Sequence, residues 1–193
     1  MPSTKLSATG ALWMVASLLS FVCAAVASRE LSAFMSIFQI LFFRSLVGLF
    51  ILAPVIYAVR AELRQGVDIG LQVGRNALHF SGQYAWTIGV MALPLVKVFA
   101  LEFTTPMWVS LLAFIFLKER LTPARLLAAI GGFTGVMVVL RPGFDGFEPA
   151  ALSVLLAAVF FATSVILVKK LTLTSSPAVI VIWMVLVQLP LGF

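Results

Sequence analysis

The chain has 193 residues, 62% of them hydrophobic and only 10% charged, with a formal net charge of +6. A soluble globular domain carries roughly 25% charged residues, and at this length too little of the chain is interior to hide so much apolar surface, which excludes a water-soluble fold. The Lys and Arg residues stand singly or in pairs at the ends of apolar runs, so the positive charge is an orientation signal and no nucleic-acid partner is expected.

A membrane-crossing helix needs about 20 predominantly apolar residues. Seven candidate stretches follow in chain order: 10–28, 32–58, 69–93, 95–117, 125–140, 150–168 and 178–193. They lack the alternation of barrel strands, so helices are predicted. The first, with Lys5 ahead of it and Ala25-Val26-Ala27-Ser28 at its end, imitates a signal peptide. Its length and the spans that follow favour a retained helix. Leu93-Pro94 divides one long apolar run into two helices. Thr122-Pro123 predicts a helix start, and Arg141-Pro142-Gly143 a stop. The fold class is therefore an all-α polytopic transmembrane helical bundle.

With the N-terminus in the cytoplasm, eight basic residues lie inside (Lys5, Arg60, Arg64, Lys118, Arg120, Arg125, Lys169, Lys170) and three outside (Arg29, Lys97, Arg141). That bias predicts a cytoplasmic N-terminus. Arg44 and Arg75 fall within spans. Cys23 is the single cysteine, so no disulfide within the chain and no Cys/His metal cluster is expected, and no cofactor. The absence of a G-x-x-x-x-G-K-[ST] loop argues against ATP hydrolysis by this chain.

A faint repeat runs at a constant offset, which pairs Ala11 with Ala151, Leu12 with Leu152, Phe21 with Phe161 and Leu31 with Leu171 as identities. The second copy begins five helices after the first. An odd number makes the second copy enter the membrane from the opposite side, the inverted-repeat design of many secondary transporters. The last apolar stretch ends on Gly192-Phe193 without a polar flank, and the expectation is a chain that continues in a longer protein.

Ionisable groups at the centre of a span cost roughly 2.5–3.5 kcal/mol each on insertion scales, so they should face a cavity or a partner. Arg44, His79 and Glu102 are the candidates. Arg44 could hold an anionic group or tether neighbouring helices. Glu102 could bind a cation, an amine or a proton, or pair with Arg44. Pro106, four residues on, removes the N–H that would bond the Glu102 carbonyl and so predicts a kink. His79, Gln83 and Trp86 recur at i, i+4 and i+7 and share a helix face, which suits either a solute path or bonds between helices. Gly131 and Gly135 form a G-x-x-x-G face, predicted to pack closely against another helix.

Several local motifs coincide: Phe43-Arg44, Glu102-Phe-Thr-Thr-Pro106-Met-Trp108, Leu117-Lys-Glu-Arg-Leu-Thr-Pro123, and Gly131-Gly-Phe-Thr-Gly135 running to Leu140-Arg-Pro-Gly143. Together the pattern resembles the EamA-type transporters of the drug/metabolite transporter superfamily. The resemblance implies two five-helix repeats, ten spans in all, with solute held between them. It places repeat 1 at 8–141 and the start of repeat 2, two helices, at 148–193. It implies gradient-driven, ATP-independent transport of a small metabolite or drug-like solute across a bacterial inner membrane, by alternating access and without enzymatic chemistry. Membrane lipid, a small-molecule substrate and a coupling proton are the expected partners, with self-association left open. Arg44, His79, Gln83, Trp86 and Glu102 would line the cavity, joined by Thr105 and by Trp108, which could instead face lipid. Two rivals remain: an intramembrane enzyme, which would turn over substrate in detergent, and a scaffold that moves nothing.

Overall fold

The computed structural model describes residues 8–63, 68–119, 122–140 and 148–193. Lys5, Arg64, Arg120 and the Arg141-Pro142-Gly143 stop lie outside the described residues, as does the Arg125 side chain. In chain order the helices are α1 (Ala8–Leu31), α2 (Ile37–Ala58), α3 (Arg60–Leu63), α4 (Ile69–Ala92), α5 (Leu95–Glu102), α6 (Thr105–Leu117), α7 (Pro123–Leu140), α8 (Pro149–Leu171) and α9 (Pro177–Leu191). No strand occurs among the described residues, and the protein is an all-α, multi-pass helical bundle.

Four segments are long and apolar enough to cross a membrane by length and composition: Thr9–Leu31, Ile37–Ala58, Leu95–Leu117 and Pro149–Leu171. Of the other three predicted spans, α4 and α9 fall short for different reasons. The α4 helix is long enough but carries Gln72, Arg75, Asn76, His79 and Gln83. The α9 helix is short, Pro177 to Leu191, and along α7 the described side chains include the apolar run Ala129–Val138.

Two boundaries differ from the sequence expectation. Residues 32–36 do not open the second span; they form a turn, and Ser36 caps α2 through a capping box with Gln39. The fourth span is two helices. The backbone breaks at Phe103–Thr104, and Pro106 sits in the first turn of α6. With no N–H at Pro106 to bond the Glu102 carbonyl, the helix cannot run through. The Thr104 hydroxyl closes the break by donating to the Leu101 carbonyl at 2.7 Å.

Polar contacts sort the connections into two ends. At one end the Arg29 guanidinium donates to the Val90 and Leu93 carbonyls, capping the C-terminus of α4. There too Lys97 pairs with Glu148 at 3.3 Å. At the other end Lys169 pairs with Glu119, and Ser176 donates to Glu62 at 2.6 Å. Successive long segments therefore run in alternating directions, and α1 and α8 are antiparallel. The α1–α2 and α8–α9 turns repeat one structure, at the same offset that relates Leu31 to Leu171 in the sequence. Met35 N–H bonds the Leu31 carbonyl at 2.9 Å and Ser175 N–H bonds Leu171 at 2.8 Å, while Phe34 to Leu31 (3.0 Å) matches Thr174 to Leu171 (3.1 Å). Each turn also has a hydroxyl that donates back to the carbonyl of a basic residue, Ser32 to Arg29 and Thr172 to Lys169.

The most extensive contact is between α4 and α8, and α2 packs on α9. The α4–α8 contact is close because of Gly82 and Gly89. A Cβ on Gly89 would fall 2.1 Å from Val154 Cγ2, and one on Gly82 would fall 2.9 Å from the Phe161 ring. Gly131 and Gly135 are not such a contact. Both are exposed, and a Cβ on either meets no atom within 4 Å, so the predicted close-packing pair lies on an open face of α7. The apolar core gathers Ala85, Trp86, Val90, Leu93, Val98, Leu101 and Val154 near the Arg29 end.

Candidate functional site

A cavity of about 760 Å³ lies between α1, α2, α4, α5, α6 and α8. Its volume is within the roughly 300–1,000 Å³ of small-molecule sites. The α4 helix supplies one wall. Arg75, His79, Gln83 and Trp86 follow at helical spacing and all line the cavity. Arg44 reaches it from α2, and Glu102, Thr105 and Pro106 reach it from the α5–α6 break.

The break explains why Glu102 is there. It is the last residue of α5, and the chain re-enters helix only at Thr105. The Trp86 indole donates to Glu102 Oε2 at 2.7 Å. That bond joins the α4 wall to the break and holds one carboxylate oxygen. Among the described residues Oε1 has no donor. The Phe21 ring stands 5.3 Å from Trp86 and 5.7 Å from Phe99, which makes an aromatic wall beside the carboxylate. A second ring pair, His79 and Phe161 at 5.3 Å, spans from α4 to α8.

Polar atoms around the cavity are short of partners. Arg75 Nε, Gln83 Oε1, Thr105 Oγ1 and Ser164 Oγ are buried, with no hydrogen bond from the protein, and all four residues line this one cavity. A buried polar group left unpaired costs about 1–3 kcal/mol. Four such groups on residues around one hollow suit a binding site for a polar solute.

The site gathers Arg44, His79, Gln83, Trp86, Glu102 and Thr105 around one space. It does not include Trp108, which points elsewhere on α6 with its indole N–H enclosed and unpartnered. The Arg44–Glu102 ion pair is absent among the described residues, because the only partner of Glu102 is Trp86. The structure adds Arg75 and the α8 residues Phe161 and Ser164 to the residues expected from the sequence. Arg75 was within reach, since it extends the His79, Gln83 and Trp86 face by one more turn. Phe161 and Ser164 have no such signal, because a Phe and a Ser in an apolar helix look like any others until the partner helix is known.

A second hollow of about 390 Å³ continues from the first. Thr105, Pro106 and Val165 line both, and the second ends on the Glu119–Lys169 pair. The two hollows together lead from the Trp86–Glu102 bond toward the Glu119 end of the bundle. No group of three or more metal-ligating side chains occurs among the described residues.

Comparison with known proteins agrees with this architecture. The EamA-like transporter family matches residues 8–141. A riboflavin transporter of Rhizobium johnstonii is 37% identical over 118 residues, which is 61% of this chain and 39% of that protein. A riboflavin transporter of Brucella anthropi is 31% identical over 153 residues, 79% of this chain and 54% of that protein. An S-adenosylmethionine uptake transporter of Rickettsia conorii is 31% identical over 169 residues, 87% of this chain and 57% of that protein. The chain thus spans about half the length of the curated relatives it matches. No solved structure matches it. The chain belongs to the EamA-like transporter family.

Proposed function

We propose that this member of the EamA-like transporter family takes part in moving a small metabolite across a bacterial inner membrane, and that the α4–α6 cavity holds the solute. The observation that carries the reading is the set of unpartnered polar atoms on that cavity, from Arg75, Gln83, Thr105 and Ser164. Arg44, His79, Trp86 and Glu102 complete the solute site. Relatives named for riboflavin and S-adenosylmethionine, both small heteroaromatic metabolites, support a solute of that size. The chain acts as a carrier rather than an enzyme, with its N-terminus in the cytoplasm, as the eight-to-three Lys/Arg bias favours.

Transport is gradient-driven and proceeds by alternating access between inverted repeats, 8–141 and the unit that begins at 148–193. The matching turns after Leu31 and after Leu171 support that arrangement. Glu102 is the group for a coupling proton, since it lines the cavity and its Oε1 has no donor among the described residues.

The test is solute flux into sealed proteoliposomes across an imposed pH gradient. Glu102→Gln keeps the shape and a hydrogen-bond acceptor for Trp86 but cannot ionise. We expect it to abolish gradient-driven uptake with normal expression and folding. Uptake equal to wild type at every pH would remove Glu102 from the mechanism.

A further inference from the structure

We propose that the solute carries a negative charge, a carboxylate or phosphate seated on Arg44 and Arg75, with a planar ring between the aromatic walls. This rests on the transport reading only in placing the ligand in that same cavity.

Three arginines reach into or across the described bundle, and their partners differ. Arg29 is structural. Its Nε and Nη2 are both spent on the Val90 and Leu93 carbonyls at a helix C-terminus, where a cation is favoured. Arg75 is buried at 8% exposure and gives one N–H to the Asn76 side-chain oxygen at 2.6 Å, leaving Nε without an acceptor. Arg44 lines the cavity, and among the described residues it makes no hydrogen bond and no ion pair.

Four acids among the described residues are occupied elsewhere. Glu119 faces Lys169, Glu148 faces Lys97, Glu62 accepts from Ser176, and Asp68 caps α4 through the Leu71 N–H. Glu102 is in the cavity but is bound to Trp86. Two guanidiniums against one engaged carboxylate leave the space with an excess of positive charge. A guanidinium within a span costs roughly 2.5–3.5 kcal/mol on insertion scales. An anion between two of them recovers that cost through charge-assisted, often bidentate hydrogen bonds.

The rest of the cavity sets the body of the solute. His79 and Phe161 lie on the arginine side, and Phe21, Trp86 and Phe99 on the other. Flat π faces at both ends suit a planar ring. Glu102 lines the cavity, and its Oε1, without a donor among the described residues, can accept from N–H or O–H groups on that ring. The geometry therefore fits a small heteroaromatic acid or phosphate ester in preference to its uncharged parent.

Matched probe pairs test this on the intact chain in phosphatidylcholine nanodiscs: FMN against riboflavin, AMP against adenosine, and nicotinate against nicotinamide. Within each pair the ring is shared and only the anionic group differs. In at least one pair the anionic member is expected to bind about tenfold or more tighter, as one charge-assisted contact supplies. Arg44→Gln and Arg75→Gln each remove that preference, read as the ratio of the two affinities within a pair. Arg44→Lys, which keeps the charge, retains part of it. Arg29→Gln leaves the preference intact. Equal binding within every pair, no binding by any anionic member, or a preference that survives both Gln variants overturns the proposal. Should a Gln variant not fold, the wild-type comparison and Arg44→Lys still decide it. Adding phosphatidylglycerol to the discs separates a soluble anion from a lipid headgroup; loss of FMN or AMP binding assigns the charge to lipid and overturns the solute. Proteoliposome flux, run in parallel, separates the two readings. Arginine-dependent anion binding without flux retires transport and keeps the anion site, and flux without anion preference does the reverse.

Discussion

Helices α1 and α4 are equal in length, and they are built inside out relative to each other. The α1 helix has no charged residue before Arg29, and its apolar side chains stand exposed, Leu12 at 71% and Trp13 at 73%. The α4 helix carries Gln72, Arg75, Asn76 and Gln83, and buries all of them. In water the assignments would be reversed. In lipid the solvent is itself apolar, so α1 needs no cover, while polar groups are expelled from the lipid face toward protein or a cavity. Polarity in a span is therefore a sign of centrality, and the least hydrophobic long helix is the one around which the others pack.

Substitutions on the two helices can break or sharpen that contrast. The largest effect is expected at Gly89, where α4 meets α8. Gly89→Leu drives a side chain into Val154, whose branched Cβ cannot swing aside. It should cost more than the roughly 1–3 kcal/mol of ordinary overpacking and leave little folded protein by size-exclusion chromatography. A monodisperse, stable variant would mean that α4 and α8 stand further apart than a glycine contact requires.

Leu19→Arg comes next. Leu19 is exposed at mid-length on α1, and a guanidinium facing lipid there should cost about 3 kcal/mol of insertion. Reduced membrane integration in a glycosylation-tag assay would register it. Unchanged insertion would mean that this face of α1 meets water or protein.

Arg29→Gln is smaller in effect. It strips the α4 C-terminus of its cationic cap and leaves the Val90 and Leu93 carbonyls short of donors. Hydrogen bonds to charged groups are worth about 1.5–3 kcal/mol, and a loss of about 2 kcal/mol should appear in thermal unfolding in detergent. Gly131→Ala should be nearly silent, within about 0.5 kcal/mol, because its Cβ enters open space. A loss of about 1 kcal/mol or more, beyond what an open surface site gives, would expose a partner surface on α7.

Much of the fold is legible in the residues alone. Apolar length marks the spans, and Pro94 and Pro123 mark helix starts, because lipid demands that each segment satisfy its own backbone. Much of the cavity is legible for the same reason. Arg44, His79 and Glu102 are costly where they are, and cost points inward. The glycines are not legible. Gly131-x-x-x-Gly135 has the stronger motif, yet Gly82 and Gly89 make the contact. Spacing says which glycines share a face but not which helix lies opposite.

The sequence by itself determined that the chain is a bundle of membrane helices, with alternating direction and charge placed within its spans. Those properties follow from single helices exchanging water for lipid, a transfer that needs no knowledge of neighbours. Only the tertiary structure decided which arginine is a cap and which line the cavity, that Glu102 answers to Trp86 rather than Arg44, and that α8 closes the cavity wall with Phe161 and Ser164. Those are relations between helices. Each is fixed by which side chain arrives within hydrogen-bonding distance, and in a chain that is 62% hydrophobic many helix pairings bury similar apolar area. The few polar groups, by finding partners or lacking them, tell those pairings apart.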